Sequence, residues 1–113
     1  MTGIDRREQK REPIDLRVTV QVSAGGHALT GHSSDLSATG VFVRTGELLP
    51  VGERVDLVIE PEEGGVILLA GEVAHAEPGK GLGISFHKPG AIAGERLEAL
   101  LAARAGHAPK RRG

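Results

Sequence analysis

The chain has no cysteine, no tryptophan and no tyrosine, and only two phenylalanines among its 113 residues. Without thiols there is no disulfide scaffold, no Cys-based zinc site, no iron–sulfur centre and no thiolate nucleophile. The shortage of aromatics argues against a single-stranded nucleic-acid groove, which needs rings on which bases stack. No uninterrupted apolar run exceeds the length of Val66 to Ala70, and residues 1–13 are polar and charged. The sequence therefore offers neither a transmembrane helix nor a signal peptide, and the expectation is a cytoplasmic protein that does not insert into a membrane.

What is present fits one globular domain. Apolar residues make up 39% and charged residues 26%, enough of the first to build a core in a chain of this length and too little net charge (−1) to keep it unfolded. Glycine is abundant at 17 residues, and the glycines fall between short runs of Val, Ile and Leu. That is the texture of short strands joined by turns.

Period-two alternation marks the strands. Leu16, Val18, Val20 and Val22 alternate with Arg17, Thr19 and Gln21, and Gly25-Gly26 then turns the chain. A second run covers His27 to Ser34, and a third Gly40 to Arg44. Leu49-Pro50-Val51-Gly52 reads as a turn with Pro at its second position. Val55, Leu57 and Ile59 form a fourth strand that Pro61 ends, and a fifth stretches from Val66 to His75 with Gly71 placed for a bulge or bend. After Pro78-Gly79, Leu82, Ile84 and Phe86 of a sixth strand face one way while Gly83 and Ser85 face the other. Six strands with no helices between them argue for an antiparallel barrel or a closed sandwich. Only Ala91 to Arg104 is helical in period, with Ile92, Leu97, Leu100 and Leu101 as its apolar stripe and Gly106 as its stop. We read the chain as all-β: a six-stranded antiparallel, Greek-key-like β-barrel with a C-terminal α-helix. Residues 1–15 are a flexible basic arm, 16–88 the barrel, 89–105 the helix and 106–113 a basic tail.

Charge is unevenly spread. Arg6, Arg7, Lys10 and Arg11 open the chain and Lys110, Arg111 and Arg112 close it, which places half of the 14 Lys and Arg at the ends. Between Glu47 and Glu77, acidic residues are opposed by Arg54 alone. The middle repels polyanions while the arm attracts anions, a balance that suits a small anion better than DNA or RNA.

Two clusters carry chemistry. Arg7 and Arg11 stand four residues apart with Arg6 directly before them, and a guanidinium can grip a phosphate through two bonds, match the O6 and N7 acceptors of guanine, or stack on a purine. Asp35-x-Ser37-x-x-Gly40 lies between two strands. There a carboxylate accepts from N–H donors, a hydroxyl reaches phosphate, and the glycine allows a backbone other residues adopt only at a cost. Read alone, it is also an ordinary Asx or Ser turn. The other constellations are weaker. His27 and His32 fall on opposite faces of a strand and so share no metal, Glu62-Glu63 lies in a turn, and nothing supports catalysis.

In this order and spacing, Arg7-x-x-x-Arg11 and Asp35-x-Ser37-x-x-Gly40 resemble the two-part signature of the PilZ domain, a bacterial receptor for cyclic di-GMP. Gly40-Val41-Phe42-Val43, Leu49-Pro50-Val51-Gly52 and Gly81 to Phe86 are similar to the family's following strand, turn and closing strand, so the resemblance covers about residues 4–105. It implies a non-enzymatic second-messenger receptor of motility or biofilm regulation, with no cofactor beyond the ligand. Arg7 and Arg11 would bind guanine and phosphate, Asp35 a guanine edge, Ser37 phosphate or base, and Gly40 would hold the turn. Arg6 would favour an intercalated ligand dimer. Glu12 departs from the family's apolar anchor. A ligand-independent module in motility, pilus or regulatory assemblies, acting on an unidentified protein partner, is the alternative. Of residues 1–13 only Met1, Ile4 and Pro13 can bury apolar area, so the arm is expected to be mobile when free and to order over the ligand.

Overall fold

The computed structural model describes residues 14–63 and 65–110, with side chains to residue 103. Six strands follow in order: β1 (Arg17–Val22), β2 (Ala28–Leu36), β3 (Gly40–Arg44), β4 (Arg54–Glu60), β5 (Ile67–Glu77) and β6 (Gly81–Phe86), before a helix α1 (Ala91–Lys110). They close into a barrel in the order β1-β2-β3-β6-β5-β4, every pair antiparallel. Two three-stranded meanders are thus joined along two seams, β1 to β4 and β3 to β6.

The alternation in the sequence becomes the two faces of the wall. Val18, Val20, Val41, Val43, Val55, Leu57, Ile59, Ile67, Val73, Leu82 and Ile84 point inward and are almost wholly buried. Each fully buried aliphatic side chain contributes about 1.5–3 kcal/mol, so the interior is the main source of stability. Residues 45–53 cross one end, where Leu49 is buried and His27 pairs with Glu47. The turn there begins one residue later than the sequence indicates. Glu53 N–H donates to Pro50 O at 3.1 Å and Gly52 adopts φ 94°, because only glycine takes the left-handed third position cheaply.

The helix covers the opposite end. Gly90 accepts the first bond, from Gly94 N–H at 2.8 Å, and Leu97 inserts into the core with Ala93, Leu100 and Leu101 packed around it. Ile92 is off this stripe and 68% exposed, since five residues of helix rotate it away from Leu97. The helix also runs past Gly106 to Lys110, where a tail was expected. A glycine costs a helix about 1 kcal/mol relative to alanine but keeps its place in the hydrogen-bond ladder, so Gly106 does not stop it.

Two bulges interrupt the ladders, at Ser33/Asp35 in β2 and at Val73/His75 in β5. The second was expected at Gly71. Gly71 instead serves a close approach, for a Cβ there would lie 2.3 Å from Ser85 O. Where the chain joins the barrel, Ile14 is buried to 1% and Ser33 fixes it. Ser33 Oγ donates to Ile14 O and accepts from Leu16 N–H at 2.9 Å. Removing that hydroxyl strands a buried N–H and a buried C=O. Ser33→Ala should therefore cost about 1–3 kcal/mol, read as a fall in Tm of several degrees by thermal unfolding.

Candidate functional site

Asp35 lies directly after the β2 bulge, and bulges commonly re-aim a side chain. Its cross-strand partner is Phe42, the partner of Phe42 is Gly83, and that of Gly83 is His75, which directly follows the β5 bulge. Four residues on four strands thus form one lateral row on the outer wall. Gly83 is the gap in it. A Cβ at Gly83 would meet the His75 imidazole at 2.3 Å, so the ring lies flat over the bare backbone and stacks with Phe42, centroids 6.0 Å apart and planes 29° apart. Glu77 holds the imidazole from beyond, Oε2 being 3.5 Å from Nε2.

The row floors a hollow of about 580 Å³, lined also by Thr39, Gly40 and Ser85. That is within the size range of small-molecule sites. Its described ionisable groups are Asp35, Glu77 and His75, so it suits N–H donors better than anions. Across Phe42 lies a second hollow of about 530 Å³ formed by Ser34, Arg44, Thr45 and Lys80 among others. Arg44 is shared with Asp15, which also pairs with His32. Phe42 therefore divides an acidic hollow from a basic one.

The motif residues play different parts. Ser37 is 0% exposed, and its Oγ accepts from the N–H groups of Thr39 and Gly40, each at 3.2 Å. It shapes the β2–β3 turn. Gly40 does not take a left-handed backbone, contrary to the reading from sequence. It is needed because a Cβ would sit 2.6 Å from Ile84 O, where the turn meets β6. Arg6, Arg7 and Arg11, with Glu12, lie outside the described residues. Apolar anchorage of the chain to the barrel falls to Ile14, two residues beyond Glu12. Phe42, His75, Arg44 and Lys80 were not singled out from the sequence. The facing of Gly83 was legible, but no sequence signal places Phe42 and His75 beside it.

His27 and His32 are engaged with Glu47 and Asp15. Among the described residues no group of His, Asp or Glu could hold a metal ion, and no helix is long and apolar enough to cross a membrane.

A closed six-stranded barrel thus carries an aromatic-floored hollow beside a hydroxyl-braced turn. The family model of the PilZ domain matches residues 5–103, and the chain belongs to that family. Solved structures agree in fold. The PilZ domain of YcgR from Escherichia coli with c-di-GMP has a TM-score of 0.73 at 15% identity, covering 95% of this chain and 97% of that one. The PilZ domain of CeSA from a cellulose-synthesizing bacterium has a TM-score of 0.66 at 21% identity, with coverages of 86% and 96%. The Bacillus subtilis inhibitor of motility MotI/DgrA has a TM-score of 0.68 at 20% identity over 89% of this chain, which spans about half (52%) of that protein. No curated protein matches the sequence.

The glycines make the site testable without ligand. Gly83→Ala should leave stability nearly unchanged, because the imidazole can swing away, yet shift the His75 and Phe42 ring resonances as the stack is lost. Gly40→Ala presses on backbone and should lower Tm by several degrees, a cost of about 1–3 kcal/mol.

Proposed function

We propose that the protein is a cytoplasmic receptor for cyclic di-GMP that binds without catalysing a reaction and passes the signal to a protein partner. The observation that carries this is the lateral row, which puts the Asp35 carboxylate of the motif in one hollow with a ring platform. A guanine presents two adjacent N–H donors on its Watson–Crick edge for a carboxylate and a flat face for stacking. The hollow beyond Phe42, with Arg44 and Lys80, suits phosphate.

The arm supplies the remaining cations. Ile14 O is bonded to Ser33, and Asp35 lies two residues along the strand, about 7 Å away. Arg11 precedes Ile14 by three positions, a span of at most about 10 Å, so its guanidinium can reach the hollow. Arg7, four residues earlier, can close over the far side of the ligand, and Arg6 favours a second, intercalated nucleotide. Ser37 and Gly40 act by holding the turn that carries Asp35. The c-di-GMP in the YcgR PilZ structure and the motility role of MotI support the ligand and the kind of pathway. The ligand-independent reading has one observation in its favour, an apolar groove beside α1 with the acidic lip Glu62 and Glu63.

Calorimetric titration with cyclic di-GMP decides between them. Binding with Kd below about 100 μM, roughly 5.5 kcal/mol, is expected, and no heat at that concentration overturns the receptor reading. Arg7→Ala and Arg11→Ala should each weaken binding by about 2–4 kcal/mol, since each removes a charge-assisted contact. His75→Ala should weaken it by about 1–3 kcal/mol through lost stacking.

A further inference from the structure

We propose that the basic N-terminal segment has a second seat on the barrel, the groove between α1 and the β4–β5 turn, which it occupies when no ligand is bound. Arg17, the first residue of β1, pairs with His32 on one side and Glu60 on the other. The segment before Ile14 therefore leaves the barrel between two turns at the same end, the β2–β3 turn with Asp35 and the β4–β5 turn with Glu62 and Glu63. Leu16, which follows Ile14 by two residues, itself lines the groove.

The groove holds about 530 Å³. Leu16 and Leu100 give it an apolar floor, Ala103 an open wall, and Glu62 and Glu63 an exposed lip. Neither carboxylate has a hydrogen bond or ion pair with a described residue. Arg96, the cation lining the groove, is already committed: its Nη1 donates to Val66 O at 2.8 Å and its guanidinium covers Gly65.

Residues 1–13 carry what the groove lacks, namely Arg6, Arg7, Lys10 and Arg11 for the lip and Met1 and Ile4 for the floor. Against Leu16 and Leu100 they gain a surface, and tethering raises their effective concentration to the order of millimolar, so weak contacts suffice. Cyclic di-GMP then competes with the groove for the same arginines. That competition rests on the receptor reading. The seat does not.

The chain has no cysteine, so Thr2→Cys gives a single site for a nitroxide label. In ligand-free protein the label should broaden the amide signals of Glu62, Glu63, Ala99 and Ala103, and the Glu62→Gln/Glu63→Gln pair should relieve that broadening. Adding cyclic di-GMP should move it to Thr39, Phe42 and Ser85. Broadening confined to Asp35 to Gly40 without ligand, or spread evenly over the surface, overturns the proposal. Broadening at the groove that cyclic di-GMP does not move leaves the seat standing and fails the receptor reading instead. In titrations Glu62→Gln/Glu63→Gln should raise ligand affinity several-fold, while Glu47→Gln/Glu53→Gln, the same charge change at the other end of the barrel, should leave it unaltered. Equal gains from both pairs would mean bulk electrostatics and overturn the competition.

Discussion

Four strands of the barrel approach one another more closely than a Cβ atom permits. A Cβ at Gly31 would lie 2.5 Å from Arg44 O, at Gly40 2.6 Å from Ile84 O, at Gly71 2.3 Å from Ser85 O and at Gly81 2.0 Å from Val43 O. All of these contacts fall within the band β2-β3-β6-β5, and none involves the β1–β4 seam. Strong local coiling is what lets a six-stranded sheet close on a small interior, and here bare backbone provides it on one side of the barrel. The high glycine content is thus not evenly loop-like. Part of it serves curvature, and the curved band is the one that carries the candidate site.

Curvature and bulges together explain how an ordinary barrel surface becomes selective. Without the bulges beside Asp35 and His75, the register would place neighbouring side chains in the row instead. Without Gly83, the imidazole would stand up from the sheet rather than lie across it. The resulting hollow is acidic and ring-floored, so a free phosphate gains nothing there. On the proposed reading, a ligand carrying both bases and phosphates places the first in this hollow and the second beside Arg44 and Lys80. Ile14, held by Ser33, is the point where the described chain meets this end of the barrel.

Much of the architecture was legible because alternation is a local property. Each strand's inward residues follow from two-residue spacing, and the Pro and Gly turns punctuate them, so strand number, order and facing were readable along the chain. The motif Asp35-x-Ser37-x-x-Gly40 was legible for the same reason, its members being neighbours. Their division of labour was not. Ser37 reads as a ligand group until its hydroxyl is seen bonded to the turn it belongs to, and Gly40 reads as a conformational residue until the approach of Ile84 is known. His75 was illegible because it depends on a register shift and on a pairing between strands. Ile92 was misplaced by counting it with Leu97, although five residues of helix turn it onto another face. The arginines were singled out by type and spacing alone, and they lie outside the described residues.

The lateral row has a consequence for when the protein can act. Asp35, Phe42, Gly83 and His75 come from strands that are not all consecutive, and the row exists only after β3 has met β6, the junction between the two meanders. Either meander alone carries half of it. If the row holds the ligand as proposed, a nascent or partly unfolded chain cannot take it up, and only a finished barrel binds. On that reading the free energy of uptake favours the closed fold as a whole, so the supply of ligand would also set how long each copy of the protein survives proteolytic surveillance.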